Sequence, residues 1–178
     1  MSLKKIVLIS GPTATGKTKL AVKLTKIFPA LLISADSRQV YQGMDIVTGK
    51  DHPPQIKLAC LDILKPDEKI SVALWRQCAL KAIASAYSQN QLPIIVGGTN
   101  FYLKSLTSNI ETITIPPNLS LRRILSAKTA VELQAILNKL NPTKLKRMNN
   151  SDRHNPRRLI RAIEVATYYQ THSSPPPS

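Results

Sequence analysis

The residues best equipped for chemistry lie near the amino terminus. Gly11-Pro12-Thr13-Ala14-Thr15-Gly16-Lys17-Thr18 fills every fixed position of the G-x-x-x-x-G-K-[ST] phosphate-binding loop. The two fixed glycines let backbone N–H groups turn inward around phosphate oxygens. A helix opening near Lys17 would aim the positive end of its dipole at the same point. Lys17 adds a full charge, and Thr18 would place a hydroxyl on a Mg²⁺ ion, a cation that keeps several waters and bridges to substrate phosphates. A chance match in a Gly/Thr-rich turn would have the wrong flanks. Here Ile6-Val7-Leu8-Ile9 precedes the loop, and Leu20, Ala21, Leu24, Ile27 and Phe28 follow it at helical spacing.

A second polar cluster, Ser34-Ala35-Asp36-Ser37-Arg38-Gln39-Val40-Tyr41, comes directly after the apolar run Ala30-Leu31-Leu32-Ile33. In a doubly wound parallel sheet, ligands bind outside the carboxyl ends of the strands, so Asp36 is expected to face the same crevice as the phosphate loop. The alternative is an aspartate that caps a surface turn or a helix. Leu92-Pro93-Ile94-Ile95-Val96 reads as a third buried strand, and Gly97-Gly98-Thr99 after it brings Thr99 to that crevice. The glycines remove side chains where backbone must approach something closely.

The elements that must position these groups follow from the pattern. Ile6 to Ser10 reads as a buried parallel strand, and a helix from Lys17 to Phe28 is stopped by Pro29. Residues 42–66 read as loops, with Gly43, Gly49 and Pro53-Pro54 as breakers and Leu58-Ala59-Cys60-Leu61 as a candidate short strand. Asp45 and Asp62 have no clear role. Ser71 is the N-cap of a helix whose core stripe is Val72, Trp75, Ala79, Ile83 and Ala86, which makes Trp75 a core residue rather than a stacking platform.

At 178 residues the chain is one domain, or one plus an appendage. Lys and Arg number 25 against 10 Asp and Glu, a net charge of +15. That excess points to a polyanionic partner, nucleic acid first, against a merely solvated basic surface. Cys60 and Cys78 are too few and too far apart for a metal knuckle or a disulfide scaffold and read as buried free thiols in a reducing compartment. No apolar stretch reaches the roughly 18 residues of a membrane span, and the start has no signal-peptide shape. A soluble, cytoplasmic protein with no membrane partner is the expectation.

Beyond Ser108 the composition changes. Ile110 to Leu119 is a Thr/Ile/Pro connection, followed by a basic helical region. Thr129 and Glu132 form a capping box ahead of Leu133, Ile136, Leu137 and Leu140, in a helix stopped before Pro142. A short piece, Lys144 to Met148, carries Lys144, Lys146 and Arg147. Asn155 as N-cap and Pro156 as first helical residue open a last helix. Arg157, Arg158 and Arg161 fall within one arc of it, opposite Leu159, Ala162, Ile163 and Ala166. The arginines are therefore expected to share a solvent face suited to phosphate backbone. His154 reads as a cap or turn residue, and residues 173–178 as a disordered Ser/Pro tail. The division expected is a core over 1–109, a helical region over 110–172 and that tail.

Together, Gly11 to Thr18, Ile33 to Tyr41 with Gly43-Met44-Asp45-Ile46, Val96-Gly97-Gly98-Thr99, and Asn155-Pro156-Arg157-Arg158-Leu159-Ile160-Arg161-Ala162 resemble the tRNA isopentenyltransferase (tRNA dimethylallyltransferase) family. The Asp-Ser-Arg-Gln-Val-Tyr cluster is the most specific of these motifs. The resemblance implies an α/β fold, a P-loop NTPase-like parallel sheet flanked by helices, with an appended basic helical region. It implies transfer of a dimethylallyl group from dimethylallyl diphosphate to the N6 amine of the adenosine beside the anticodon, on the anticodon stem-loop of tRNA. By that likeness Asp36 is the general base, and Gly11 through Thr18 bind the diphosphate. Lys17 and Thr18 serve catalysis, Thr18 holding Mg²⁺, while Asp36, Ser37, Arg38, Gln39, Thr99, Arg157, Arg158 and Arg161 touch tRNA. A monomer is expected. Val47-Thr48-Gly49-Lys50 departs from the family's usual Gly-Thr-Ala-Lys. Family members are longer, returning to the core with another pyrophosphate-binding arginine, so transfer by these 178 residues alone is expected to be weak or undetectable, with pyrophosphate still bound. Three rivals stand beside this reading: a small-molecule P-loop kinase, an adenylate isopentenyltransferase and a non-catalytic RNA-binding remnant.

Overall fold

The structure is a computed structural model that describes residues 4–45 and 56–174. The loop breakers Gly49 and Pro53-Pro54, the Val47–Lys50 departure and the end of the Ser/Pro tail lie outside the described residues. The chain divides into two compact units, residues 1–109 and 110–178.

The first unit alternates strands and helices. Its elements are β1 (Val7–Ser10), α1 (Lys17–Thr25), β2 (Ala30–Ser34), β3 (Leu58–Ala59), α2 (Val72–Ser88), β4 (Leu92–Gly97) and α3 (Asn100–Thr107). All strand pairs are parallel, in the order β1-β4-β2-β3. Side chains of successive strand residues point to opposite faces, and the sequence supplies apolar groups to both. Leu32 and Ile94 join Ala21 and Val96 in one core layer, while Ile33 and Ile95 join Trp75, Ala79 and Tyr102 in the other. Trp75 is fully buried, as its place in the stripe requires.

The first helix departs from its expected form. It ends at Thr25, and the turn after it tightens, Ile27 and Phe28 both donating their N–H to the Leu24 carbonyl. Of its apolar stripe only Ala21 is buried, whereas Leu20, Ile27 and Phe28 are 50%, 68% and 49% exposed. β1, beside which it lies in the chain, is the last strand of the sheet among the described residues.

A second departure concerns the cysteines. Cys60, just past β3, and Cys78, in α2, form a disulfide with Cα atoms 5.9 Å apart. The free-thiol reading is corrected: 18 residues of sequence separation vanish once α2 packs against the end of β3.

The second unit is helical. After a 3₁₀ turn at Glu111–Ile113 come α4 (Leu119–Leu125), α5 (Ala130–Leu140), α6 (Pro142–Arg147), α7 (Asn150–Arg153) and α8 (Pro156–Thr171). The Thr129–Glu132 capping box is formed, and Asn155 caps α8 by accepting from the Arg157 and Arg158 N–H groups. Leu133 and Leu137 of α5 meet Leu159 and Ile163 of α8 in a core completed by Leu125 and Met148. Each such burial contributes about 1.5–3 kcal/mol.

Candidate functional site

The phosphate loop joins β1 to α1 and is shaped by backbone that few residues tolerate. Gly16, the N-cap of α1, sits at φ 78°, and Ala14 occupies the same left-handed region at φ 63°. Gly16 offers no side-chain cap, and no acidic residue occupies the first turn of α1. The first N–H groups of the helix are therefore left for an anion. Thr15 Oγ1 donates to the Pro12 carbonyl at 2.9 Å, and Lys17 Nζ donates to the same oxygen, so two side chains fold the loop onto itself.

Asp36 is placed by the ends of β2 and β4. The Ala35 N–H donates to the Val96 carbonyl at 2.8 Å, and the Thr99 N–H donates to the Ala35 carbonyl at 3.1 Å. A Cβ on Gly97 would lie 2.2 Å from the Ala35 carbonyl oxygen, so this crossing admits only glycine. Gly98 backs onto the phosphate loop, its would-be Cβ 3.4 Å from the Gly11 carbonyl oxygen. Thr99 Oγ1 then accepts the Ser37 N–H at 3.0 Å, and Asp36 Oδ1 accepts the Arg38 N–H at 2.9 Å. The Asp36 carboxylate thus caps a turn and still lines the cavity, so the two readings of this residue are compatible. Burial, with Tyr41 and the Asp36 carboxylate adding to it, pushes the Tyr102 phenol up to about 12. Tyr102 stays protonated beside the site.

A cavity of about 330 Å³ opens here, lined by Thr13, Ala14, Thr15, Gly16, Lys17, Thr18, Ser34, Asp36, Gln39, Leu58, Val96, Gly97 and Gly98. Thr13 to Thr18, Asp36 and Gln39 are brought together as the strand-end argument requires. Gly11 and Pro12 complete the loop, and Ser37, Arg38 and Thr99 stand in the adjoining turn. Ser34 and Val96 belong to the strand ends and were open to that same argument. Leu58 opens the candidate short strand, which forms at Leu58–Ala59, but that reading gave no sign that it walls the cavity.

No group of three or more His, Cys, Asp or Glu able to hold a metal occurs among the described residues. The donor set nevertheless suits Mg²⁺, which takes one or two protein oxygens and completes its shell with water and substrate phosphates. Thr18, a hydroxyl on the cavity, supplies a donor of that kind.

The arginine face in the second unit needs correction. Arg157 is exposed, and Arg158 is 64% exposed while pairing with Asp152 at 2.9 Å. Arg161 is turned inward: its guanidinium donates to the Thr112 and Ile115 carbonyls at 2.7 and 2.9 Å and to Glu164 at 3.3 Å. Glu164 is buried, taking Arg122 as a bidentate partner at 2.7 and 2.8 Å and the Asn118 N–H at 2.9 Å. Arg161 shares the arc of Arg157 only geometrically. The connection over 110–118 covers it and binds it.

Residues 39–177 match the IPP transferase family. The chain belongs to that family. Residues 4–63 also match the isopentenyl transferase family, which covers the phosphate loop. Among curated relatives, tRNA dimethylallyltransferase 1 of Syntrophus aciditrophicus is 39% identical over 172 residues, 93% of this chain and 55% of the relative. Its counterpart from Geotalea uraniireducens is 40% identical over 165 residues, 92% of this chain and 54% of its own length. The IPP transferase chain described here thus spans about half the length of the curated relatives it matches. The full-length tRNA isopentenylpyrophosphate transferase of Bacillus halodurans superposes with a TM-score of 0.59 at 34% identity, over 93% of this chain and 56% of that one. A eukaryotic dimethylallyltransferase acting on tRNA superposes at 0.77 with 24% identity, over 97% and 46%, a likeness of fold. The parallel sheet and these neighbours give the chain a P-loop NTPase-like fold.

Proposed function

We propose that this chain takes part in transferring a dimethylallyl group from dimethylallyl diphosphate to the N6 amine of the adenosine beside the anticodon in tRNA. One observation carries the reading: a phosphate loop and the Asp36 carboxylate line a single cavity. Backbone N–H groups of the loop, with Lys17, bind the diphosphate and stabilise its negative charge as it leaves. Asp36 is a base within the same enclosure, placed to take the proton from the attacking amine. The C1–O bond to the diphosphate breaks, the C1–N6 bond forms, the amine proton passes to Asp36 and diphosphate departs. Mg²⁺ held at Thr18 would neutralise phosphate charge when bound.

The acceptor is an RNA because the charge calls for one, and the family's relatives named above are tRNA enzymes. Gln39 in the cavity lining, with Ser37, Arg38 and Thr99 in the adjoining turn, would meet the extruded base, which must leave its stack to be modified. Arg157 and Arg158 are the exposed cations of α8 for backbone phosphates, while Arg161 is committed to Glu164 and the 110–118 connection. Among the described residues no helix is long and apolar enough to cross a membrane. We place the protein in the cytoplasm, a reading that rests on tRNA, since the Cys60–Cys78 disulfide removes the thiol argument, and we infer a monomer.

The test offers labelled dimethylallyl diphosphate with tRNA, AMP and ATP in parallel. Label in tRNA alone supports the reading. Label in AMP or ATP would move the chain to the adenylate enzymes, and phosphoryl transfer from ATP to a small molecule would make it a kinase. Pyrophosphate and tRNA binding without transfer, in a complemented form as well as in the chain alone, would leave it a binding remnant.

A further inference from the structure

The chain contains a single tryptophan, and it touches the site without lining it. Trp75 lies in the first turn of α2, fully buried. Its indole Nε1–H donates to the Ser34 carbonyl at 2.8 Å. Its ring stacks on Tyr102 of α3 with centroids 4.4 Å apart and planes 12° from parallel. Packing alone would be served by any large apolar ring. The polar contact is aimed at one atom, the carbonyl that closes β2 two residues before Asp36.

That carbonyl stands where the sheet runs out. β3 pairs with Leu32 and Ile33 and stops there, so among the described residues Ser34 has no strand beside it on that edge. A buried carbonyl needs a donor, and the indole stands in for the missing strand. Ser34 itself is buried, lines the cavity, and sends its hydroxyl to Gln39 Oε1 at 3.4 Å. One helical turn along α2 from Trp75, Cys78 is tied to Cys60. The segment after Cys60 is bonded to the far end of the cluster: Asp62 N–H to the Gln39 carbonyl, Leu64 N–H to Val40, and Gln42 N–H back to Leu64. One helix therefore grips residues 34–42 at both ends.

We propose that Trp75 is a positioning residue: its indole N–H, with the Cys60–Cys78 tie one turn away, fixes the 34–42 segment so that Asp36 and Gln39 face the cavity. A base displaced by about 1 Å can cost a hundredfold in rate, which gives this anchor a function beyond filling the core. The value of holding Asp36 rests on the transfer reading. The anchoring itself does not.

The experiment is amide hydrogen exchange on the whole chain, wild type against Trp75→Phe, which keeps a ring for Tyr102 and removes the donor. Losing one buried hydrogen bond should speed exchange at Ala35, Ser37 and Arg38 by about tenfold. Those three N–H groups bond to Val96, Thr99 and Asp36. Ile94 and Ile95 in the strand centre, and Leu137 in the other unit, should be unchanged. Because the chain has one tryptophan, biosynthetic replacement by 3-benzothienylalanine supplies a second variant, isosteric and lacking only the N–H. In any form that transfers label, both variants should lower kcat and leave KM for the allylic diphosphate unchanged. Unchanged exchange at the three amides, or an equal rise at Ile94 and Ile95, would overturn the proposal. Failure of transfer in every form tried, the chain alone and a complemented form included, would count against the transfer reading and leave the exchange result standing.

Discussion

Glu164→Gln tests the inward turn of Arg161 most directly. The carboxylate is buried with about 1% of its side chain exposed and accepts from Arg122 twice, from Arg161 and from the Asn118 N–H. Gln keeps the shape but presents an NH₂ where an oxygen received a guanidinium donor. Charge-assisted bonds contribute about 1.5–3 kcal/mol and neutral ones about 0.5–1.5. Breaking a fully buried pair costs about 3–5 kcal/mol. Arg122 is 44% exposed and Arg161 33%, so water recovers part of their loss, and we expect about 2–3 kcal/mol. Urea unfolding of the second unit, followed by far-UV circular dichroism while Trp75 fluorescence tracks the first, should show a midpoint lowered by about 2 M at an m of about 1 kcal/mol/M. The pH dependence carries a second check. Burial pushes the Glu164 carboxyl up, but hydrogen bonds from Arg122, Asn118 and Arg161 outweigh it and hold the carboxyl below its ordinary 4.5. A depressed folded value means stability present in full above about 4.5 and lost as pH falls through the folded pKa. The gap between wild type and variant should therefore be largest at neutral pH and close in acid. A midpoint shift under about 0.5 M, or a gap that widens in acid, would show that the Glu164 carboxylate does not hold Arg122 and Arg161 in place.

Asp36→Asn keeps the size of the side chain and removes the base. In a form that shows transfer, single-turnover rate should fall about 10² to 10⁴-fold with binding of both substrates retained, and a near wild-type rate would leave Asp36 as a turn cap only. Replacing Arg157 and Arg158 with Ala should flatten the salt dependence of tRNA binding by about 0.7–1 log unit for each phosphate no longer neutralised, read from binding isotherms across salt. Gly97→Ala drives a Cβ to 2.2 Å from backbone and should cost about 3 kcal/mol, seen as a lowered melting temperature by Trp75 fluorescence. Reduction of Cys60–Cys78 by a dithiol should lower the stability of the first unit by about 3 kcal/mol, the chain-entropy value for an 18-residue separation, in denaturant titrations with and without reductant.

The phosphate loop is legible because its chemistry dictates residue types at fixed spacings, and the strands because a sheet covered on both faces demands apolar runs such as Leu31-Leu32-Ile33. Local hydrogen-bonding codes read equally well: Thr129 with Glu132, and Asn155 with Pro156, form the caps their sequence spells. What escapes depends on distant neighbours. Periodicity tells which residues share a face of α1 and not whether anything covers that face, so Leu20, Ile27 and Phe28 are exposed where the pattern alone predicts burial. The arc of Arg157, Arg158 and Arg161 is correct as geometry, yet the 110–118 connection hydrogen-bonds one end of it. The Cys60–Cys78 bond, the Leu58 wall and the indole donor to Ser34 all require knowing which elements meet in space.

The bare N-cap of α1 has a thermodynamic consequence. A helix that opens on Gly16 forgoes only a few tenths of a kcal/mol against Ser, Thr, Asp or Asn, but it leaves its first N–H groups without a side-chain acceptor. A bound phosphate oxygen would accept from those groups, so the ligand would become part of the secondary structure of its own receptor. Folding and diphosphate occupancy are then linked equilibria: at a hundred times Kd the ligand adds about 2.7 kcal/mol to stability. On the proposed function, the cost of an unfinished helix end falls on the empty protein, and a chain holding its diphosphate would be the sturdier form in which to meet the RNA.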